Sequence, residues 1–191
     1  MAALADPTIA LGANMNAAGK VIATAVPAGA PEYSEVLDWL YREARLLDQG
    51  DFDSWLALMA ADISYTMPTR RDVNPKDGRG FAHDFGLFAE NHASLSARVA
   101  RLKTDQAWAE QPRSRTRHFI SNVLIERTSG GEYQATAAFM LSRLRSDRPL
   151  DLFTGERQDT LRRDGGALRL VRRLILLDQT VIDSHNLSVF F

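Results

Sequence analysis

The first part of the chain carries its apolar residues at the spacing of an α-helix. Between Leu37 and Leu47 they recur every three or four positions, which places them on one face of a helix. Ser34 is a candidate N-cap for this helix, and Gly50 stands where a left-handed residue would end it. The same spacing over Phe52–Met59 predicts a second, shorter helix.

The middle of the chain combines a short apolar segment, a polar loop and a longer apolar stripe. Ile63–Met67 has the residues of a strand, which Pro68 is expected to end. The polar stretch that follows, Pro68–Gly80, contains two prolines and two glycines, a composition typical of loops. From Phe81 onward the apolar residues stand at alternating intervals of four and three. This spacing predicts one helix, most clearly over Phe88–Lys103.

From Thr116 the apolar period changes to two, which is the period of a β-strand. Four stretches have this alternation and are predicted strands: Thr116–Arg127, Tyr133–Arg145, Leu152–Arg163 and Leu168–Gln179. Gly-Gly pairs in "TSGGE" and "RDGGA" fit hairpin turns. Helices followed by such a meander predict an α+β fold, with the helices packed into one curved antiparallel sheet. We expect residues 33–191 to form this single domain, and residues 1–32 to form a flexible N-terminal arm.

Cysteine is absent from the 191 residues, and this restricts the chemistry of the chain more than any motif does. The chain can form no disulfide, no thiolate zinc site and no cysteine-ligated iron–sulfur cluster. A reducing compartment is consistent with this composition, so we expect a cytoplasmic protein. The net charge of −1 gives no indication of a nucleic-acid partner. No apolar run approaches the roughly 20 residues of a membrane span.

The stretch "PRSRTRHFISNV" places three arginines and His118 within six residues, and His118 is the strongest candidate for a general base. On a strand, however, His118 shares a face with Thr116 and Ile120, whereas Arg115 and Arg117 point to the opposite face. A single active site that contains all of them is therefore geometrically poor. We interpret the stretch as the entry of a central strand whose arginines contact neighbouring subunits.

The other histidines are weaker candidates for chemistry. His92 lies in the apolar stripe, where a core or interface histidine is expected. His83 precedes Asp84, but adjacent residues of a helix do not share a face. His185 lies in a polar segment with no evident partner. No two histidines have the spacing of a metal site, and phosphate-loop and serine-elbow motifs are absent.

Charged residues in the third predicted strand and apolar residues at the end of the sequence each allow two interpretations. The charged residues either line a cavity or face solvent or another subunit, and we favour the second: Glu156, Arg157, Asp159, Arg162 and Arg163. Leaving Val189–Phe191 in water would forgo burial worth about 25 cal/mol per Å². We therefore expect these last residues to dock, either on the chain's own sheet or on a partner.

Three runs together resemble the small (beta) subunit of bacterial aromatic-ring-hydroxylating dioxygenases, which are Rieske non-haem iron oxygenases. They are "YREARLLDQGDFDSWLALMAADISYTMP", "RVARLKTDQAWAEQPRSRTRHFISNV" and "RRLILLDQTVIDSHNLSVFF". The resemblance implies a cone-like fold, shared with ketosteroid isomerase and scytalone dehydratase. It also implies a hexamer of three large (alpha) and three small subunits, served by a ferredoxin and a reductase. In such an enzyme the alpha subunit holds the Rieske [2Fe–2S] cluster and the mononuclear Fe(II), so the resemblance assigns this chain no catalytic, cofactor-binding or metal residue.

Our first hypothesis is therefore a structural subunit that supports dihydroxylation of aromatic compounds during their catabolism. We expect its subunit contacts to involve the loop Pro68–Gly80, the strand starts that carry arginine, and the last two residues. The candidate interface residues are Arg70, Arg71, Arg115, Arg117, Phe190 and Phe191.

The alternative is a stand-alone cone-fold isomerase or dehydratase that acts on a small hydrophobic substrate, with His118, Asp84 and Tyr65 as its acid–base residues. A cone filled by side chains would contradict this alternative. A binding module without catalysis is a third possibility, for which the sequence makes no distinctive prediction.

Overall fold

A computed structural model describes residues 23–74, 76, 78–104, 110, 112–145, 148–184 and 186–191, with residues 83–85 described by their backbone only. Seven strands and three helices follow one another along the chain in the order β1 (Ala23–Ala25), α1 (Pro31–Gln49), α2 (Phe52–Leu56), β2 (Met59–Arg70), β3 (Phe81–Glu90), α3 (His92–Leu102), β4 (Arg115–Thr128), β5 (Tyr133–Leu144), β6 (Asp151–Asp164) and β7 (Ala167–Leu177).

All seven strands form one sheet in the order β1-β4-β5-β6-β7-β2-β3. The predicted meander is confirmed, since β4 to β7 are antiparallel neighbours in sequence order. Gly165 and Gly166 both have positive φ, at 56° and 85°, as a tight hairpin turn requires. The sheet is mixed rather than antiparallel throughout, because β2 pairs in parallel with β7. Strand β4 is not central, because only the three-residue β1 lies beyond it.

The first helix begins earlier than its pattern predicted. Pro31 occupies the first turn of α1, and no side chain caps that end, so Ser34 is a residue of the helix rather than its N-cap. A proline fits the first turn because the missing N–H would have no intrahelical partner there. Gly50 ends the helix in the left-handed conformation, at φ 69°, as predicted.

The apolar stripe that begins at Phe81 is divided between two elements. Phe81–Glu90 is a strand, β3, and the predicted helix is wrong for that segment. Hydrogen bonding to β2 at the sheet edge favours the extended backbone, and pairing of this kind overrides a spacing that sequence alone assigns to a helix. The helix α3 starts only after Asn91, which caps it reciprocally with Ser94.

Pro68 lies inside β2 instead of ending it. The strand runs on to Arg70, and its register against β3 shifts on both sides of Pro68. Proline donates no backbone hydrogen bond, so it is tolerated where a bulge interrupts the ladder. The polar loop is therefore shorter than predicted and spans residues 71–80.

The sheet curls around the helices, which gives the cone-like α+β fold. Helix α1 lies against β4 and buries Val36, Trp39 and Leu40 on its inner side. The Trp39 indole N–H donates to the carbonyl oxygen of Leu168 at 3.1 Å, which fixes α1 to β7 across the interior. The interior of this cone contains the groups described next. Among the described residues, no helix has the length and apolarity that crossing a membrane requires.

Part of the predicted N-terminal arm belongs to the fold. Ala23–Ala25 forms β1 and pairs with Glu126–Thr128 of β4, and the Val26 N–H donates to the Ile125 carbonyl at 2.8 Å. Residues 23–26 are therefore joined to the sheet. Residues 1–22 lie outside the described residues, so the arm stays a prediction there.

Candidate functional site

Four charged side chains are buried together inside the cone. Glu43 comes from α1, Arg157 and Asp159 from β6, and Arg173 from β7, and none is more than 2% exposed. The Arg173 guanidinium donates two hydrogen bonds to the Asp159 carboxylate, with Nε–Oδ1 and Nη2–Oδ2 distances of 2.7 and 2.8 Å. Its Nη1 donates to Glu43 Oε1 at 2.7 Å. We call these four residues the interior charge cluster, in which two arginines balance two carboxylates, as burial of charge requires.

Arg157 completes the interior charge cluster with less regular geometry. Its Nη1 lies 3.2 Å from Glu43 Oε2 and its Nε lies 3.0 Å from Asp159 Oδ2, which are ion-pair distances. Neither contact is directed as a hydrogen bond, and Arg157 Nη2 has no hydrogen-bond partner in the part of the chain that the structure describes. The cluster thus has hydrogen-bonding capacity that the described residues do not use.

Burial and ion pairing act in opposite directions on the acid–base properties of the cluster. Desolvation raises the pKa of Glu43, whereas the charges of Arg173 and Arg157, and hydrogen bonds from Arg173 and Trp55, lower it. Together these effects lower the pKa of Glu43 to about 2. Desolvation also lowers the pKa of Arg173, but Asp159 and Glu43 more than offset this and hold it well above the usual value. The Glu43–Arg173 pair is therefore ionised at neutral pH.

The last residue of the sequence, Phe191, is bound to the interior charge cluster through its main chain. Arg173 Nη1 donates to the main-chain oxygen of Phe191 at 2.6 Å, and the Tyr65 hydroxyl donates to the same oxygen at 3.0 Å. The Phe191 N–H donates to the Tyr65 oxygen at 2.8 Å. Burial raises the pKa of Tyr65, so its hydroxyl keeps the proton that it donates.

The two terminal phenylalanine rings fill the space beside this contact. Phe190 and Phe191 are 3% and 1% exposed. The Phe191 ring lies 6.2, 5.9 and 5.5 Å, between centroids, from three aromatic rings: Phe88, Phe139 and Phe153. The Phe190 ring lies 4.3 Å from that of Trp55 and 5.5 Å from that of Phe52. Aromatic packing of this kind contributes beyond the area that it buries.

Two further arginines hold the residues that precede Phe190. Arg98 Nη2 donates to the Val189 carbonyl oxygen at 3.0 Å, and the guanidinium lies 4.5 Å from the centroid of the Phe190 ring. Arg143 Nη2 donates to the Asn186 carbonyl oxygen at 3.1 Å. We call Asn186–Phe191 the C-terminal segment. It has no regular secondary structure, so side chains from the rest of the chain supply the partners of its carbonyl groups.

The basic residues of "PRSRTRH" lie against the C-terminal end of α1. Arg113 donates to the carbonyl oxygens of Gln49 and Leu47 at 2.7 and 2.9 Å, in the last turn of the helix, where carbonyl groups lack the regular intrahelical partner. The His118 N–H donates to Asp48 Oδ2 at 3.2 Å, and His118 Nδ1 lies 2.6 Å from Asp48 Oδ1. Capping of a helix end therefore accounts for Arg113 and His118.

His118 also connects α1 to the C-terminal segment. Its Nε2 lies 3.0 Å from the Phe190 carbonyl oxygen, while Nδ1 faces the Asp48 carboxylate. Both partners are hydrogen-bond acceptors, so each ring nitrogen of His118 lies beside an oxygen atom. The side chain is 4% exposed. With both nitrogens engaged, His118 is a structural link rather than a general base.

The residues of the predicted isomerase or dehydratase site do not form an acid–base site. His118 Nε2 and the Tyr65 hydroxyl contact the C-terminal segment, and His118 Nδ1 faces Asp48. The Asp84 side chain lies outside the described residues. The interior that a substrate would enter is filled by Phe190 and Phe191. A filled cone contradicts the isomerase or dehydratase alternative. The side chain of His83 and all of His185 also lie outside the described residues, and His92 is half-buried at the start of α3.

The predicted interface residues lie in two different environments. Arg71, Arg115 and Arg117 are exposed, Arg117 to 72%, and the two β4 arginines point away from the buried side of the strand. Arg117 Nη1 nevertheless lies 3.8 Å from Asp48 Oδ2, so its guanidinium is also paired within the chain. Arg70 is held within the chain, since its Nη1 donates to a β7 carbonyl at 3.3 Å. Phe190 and Phe191 are buried in the cone interior of the chain itself.

The sequence pattern did not predict the interior charge cluster. The favoured interpretation, solvent or another subunit, is wrong for Arg157 and Asp159. The two-residue period contains a signal for them, because they share one side of β6 with buried Phe153 and Leu161. Glu43 likewise stands in the buried stripe of α1.

The residues of this chain do not fit the iron groups that the resemblance implies. A Rieske cluster needs two cysteines and two histidines, and the sequence has no cysteine. Over the described ranges, no group of three or more histidine, aspartate or glutamate residues could hold a metal ion.

Comparison with known proteins gives the class to which the chain belongs. The model of the family "Ring hydroxylating beta subunit" matches residues 42–184. The chain therefore belongs to the family of beta subunits of aromatic-ring-hydroxylating dioxygenases. It is 41% identical to a benzene 1,2-dioxygenase subunit beta of Pseudomonas putida, over 85% of this chain and 90% of that protein. It is 40% identical to the biphenyl 2,3-dioxygenase subunit beta of Rhodococcus jostii, over 82% and 87% of the two chains.

Solved structures confirm the cone-like fold. A chain of naphthalene 1,2-dioxygenase, solved with indole bound in the active site, matches with a TM-score of 0.76 and 25% identity over 87% of this chain and 88% of that chain. A putative scytalone dehydratase from Novosphingobium aromaticivorans matches with a TM-score of 0.60 and 17% identity over 83% and 91%. The second likeness concerns the fold alone.

Proposed function

We propose that this chain is the non-catalytic beta subunit of a terminal oxygenase that dihydroxylates aromatic compounds during their catabolism. Its partner is an alpha subunit that carries a Rieske [2Fe–2S] cluster and a mononuclear Fe(II), and three copies of each subunit form the hexamer. A ferredoxin and a reductase deliver electrons from NAD(P)H to the complex in the cytoplasm. The iron groups supply the oxygen chemistry, and this chain supplies a rigid support.

One observation carries the non-catalytic role: the interior of the cone is filled by the chain's own C-terminal segment. The groups that could transfer protons there, His118 and Tyr65, bind the main chain of Phe190 and Phe191. The charges of the interior cluster are paired with one another. These contacts support a scaffolding role. Rigid packing, and the hydrogen bonds and ion pairs that connect α1, β7 and the C-terminal segment, keep the outer surface of the subunit in one conformation.

The outer face of the sheet supports a role in assembly. Phe119 and Met140 lie directly opposite each other on β4 and β5, and they are 52% and 38% exposed. Aromatic residues and methionine are enriched where proteins associate. Arg115 and Arg117 lie on the same side of β4 as Phe119, which gives this apolar pair a basic margin. We propose that the face contacts an acidic surface of another subunit.

The loop after β2 reaches the same outer face. Its ends are joined by the Arg71 N–H, which donates to the Gly80 carbonyl oxygen at 2.7 Å. Arg79 lies 3.3 Å from Glu156, and Glu156 stands beside Ala138 on β5, two residues from Met140. The loop and the apolar pair therefore form one continuous candidate interface.

Co-expression with a Rieske-type alpha subunit tests this function. The wild-type chain should co-purify with the iron-bearing subunit, and Phe119→Asp should reduce the recovered complex at least tenfold, because it places a charge in a buried contact. Val181→Asp is the matched control, since Val181 is 79% exposed in a loop elsewhere. Full recovery of the complex with Phe119→Asp would exclude the outer face. Failure of the wild-type chain to bind any such subunit would exclude the function.

A further inference from the structure

His118 stands between two parts of the chain that meet only in the folded protein. Its side chain is 4% exposed. Its Nδ1 lies 2.6 Å from Asp48 Oδ1 on α1, and its Nε2 lies 3.0 Å from the Phe190 carbonyl oxygen. We propose that the protonated ring of His118 is a pH-sensitive latch, which holds the C-terminal segment in the cone and releases it when the proton is lost.

The two oxygen atoms beside the ring distinguish its charged form from either neutral tautomer. A neutral imidazole has one N–H and one lone pair, whereas an imidazolium has an N–H on each nitrogen. In the neutral ring, one nitrogen therefore directs a lone pair at an oxygen, and the two electron pairs repel each other. The imidazolium donates to both oxygens, and its bond to the Asp48 carboxylate is charge-assisted. Loss of the proton thus breaks one of the two contacts of His118.

Charged groups of the surrounding elements act on this proton, and Asp48 contacts the ring directly. Its carboxylate is 11% exposed, so it stabilises a positive His118 with little screening by solvent. The C-terminal end of α1 adds a partial negative charge. Two cations oppose these groups from beyond the carboxylate: Arg117, 3.8 Å from Asp48 Oδ2, and Arg113, which donates to the last carbonyl groups of α1. Because Arg117 is 72% exposed, solvent screens its charge, and the carboxylate dominates.

Arg98 and Tyr65, which also hold the C-terminal segment, keep their protonation state at neutral pH. Arg98 donates to the Val189 carbonyl and lies against the Phe190 ring, and an arginine stays charged in proteins. Burial raises the pKa of Tyr65, so its hydroxyl keeps its proton. Histidine, in contrast, ordinarily changes charge between about pH 5 and pH 8. The latch is therefore closed on the acid side of this change and open on the alkaline side.

Release of the latch separates two phenylalanine rings from the interior and leaves the sheet intact. Phe190 and Phe191 are 3% and 1% exposed in the docked state, and the C-terminal segment contributes no strand. The strand ladder therefore remains while water reaches the rings and the interior charge cluster. Local opening of this kind requires less free energy than global unfolding, so hydrogen exchange detects it in the native protein.

Two measurements on the full chain test the latch: the ¹⁵N chemical shifts of the His118 ring and hydrogen exchange at the Phe191 amide, both followed from about pH 5 to pH 9. We expect a proton on both ring nitrogens at the acid end. Where one proton is lost, exchange at Phe191, corrected for its intrinsic pH dependence, should become roughly 10-fold faster. Asp48→Asn should move both changes to lower pH, because an amide does not balance the charge of the ring. Asp38→Asn, on the exposed side of α1, is the matched control and should move neither.

Two outcomes in the wild-type chain would overturn the proposal, whether or not Asp48→Asn folds. One is a His118 ring that carries a single proton over the whole pH range in which the chain is folded. The other is protection of the Phe191 amide that stays constant while His118 loses its proton. His118→Phe separates the latch from a merely structural contact, since its exchange at Phe191 should be fast and show no step with pH. These measurements use the chain without a partner, so their outcome is independent of the proposed function.

Discussion

Arg173 and Phe191 are joined by a 2.6 Å hydrogen bond between the Nη1 of the arginine and the main-chain oxygen of the phenylalanine. Through this bond the last residue of the sequence becomes part of a network that includes Glu43 and Asp159. The interior of the cone is filled by residues of the chain itself. The stability of the cone interior therefore depends on the contacts of the C-terminal segment.

The ring of Phe190 is expected to contribute strongly to stability. It lies 4.3 Å from Trp55 and is 3% exposed, so Phe190→Ala should lower the free energy of unfolding by about 3–5 kcal/mol. Phe119→Ala is the control, because Phe119 is 52% exposed and its truncation should cost about 0.5 kcal/mol. Urea denaturation of both variants measures the difference. Equal losses would mean that Phe190 is not docked in solution.

Glu43 is expected to make the fold sensitive to acid. Its pKa is lowered from 4.5 to about 2 in the folded protein. The ionised form of Glu43 therefore stabilises the fold at pH values above the pKa that the group has in the unfolded chain. This stabilisation is lost as the pH falls from 4.5 to about 2. The pKa shift corresponds to about 3 kcal/mol of folding free energy. Unfolding free energies measured from about pH 7 to pH 2 should show the loss for the wild-type chain.

Glu43→Gln should remove this part of the acid dependence. The variant is also less stable at neutral pH, by about 3–5 kcal/mol, because Arg157 and Arg173 lose a buried counter-ion. Glu35→Gln is the control, since Glu35 forms a surface pair with Arg163, and such pairs contribute about 0–1 kcal/mol. An unchanged acid profile in Glu43→Gln would show that another group controls it.

Loss of the imidazole of His118 is expected to loosen the C-terminal segment. His118→Phe removes the contacts to Asp48 and to the Phe190 carbonyl, and a hydrogen bond to a charged group such as the Asp48 carboxylate is worth about 1.5–3 kcal/mol. Hydrogen exchange at the Phe191 amide should become roughly 10- to 100-fold faster. His92→Phe, at the half-buried start of α3, should leave that rate unchanged. Identical exchange in His118→Phe and the wild-type chain would contradict the link.

Charge reversal at the start of β4 is expected to impair assembly and not folding. Arg115→Glu and Arg117→Glu invert two exposed cations that we place at the subunit interface. Reversal of charges at an interface slows association and lowers the affinity of the complex. For the double variant we expect an affinity that is lower by about tenfold or more. Arg42→Glu, on the exposed side of α1, is the control. Native mass spectrometry measures the complex, and an intact hexamer with both reversals would exclude this role.

The pattern of apolar and polar residues was sufficient to predict those elements of the fold that local spacing determines. The alternation after Thr116 and the Gly165–Gly166 turn predicted β4 to β7, because adjacent antiparallel strands need only a hairpin between them. The parallel pairing of β2 with β7 joins residues about 100 positions apart, and no local signal specifies it. Phe81–Glu90 was assigned to a helix for the same reason, since its partner strand decides its conformation.

The interior could be predicted only in part. The apolar end of the sequence indicated docking of Val189–Phe191, but not whether the chain or a partner receives it. Arg157 and Asp159 looked like residues of a solvated strand, because charged residues are rarely buried without partners. Those partners, Glu43 and Arg173, lie on other elements and become apparent only when the sheet curls around α1.

Purification of the chain from the cells that make it, with its bound partners, is the most direct test of the proposed function. Mass spectrometry of the complex and determination of its iron content identify the partner. We predict a Rieske-type alpha subunit that carries all of the iron, in a complex of three alpha and three beta subunits. Isolation of the chain without an iron-bearing partner, or with iron bound to the chain itself, would contradict the account.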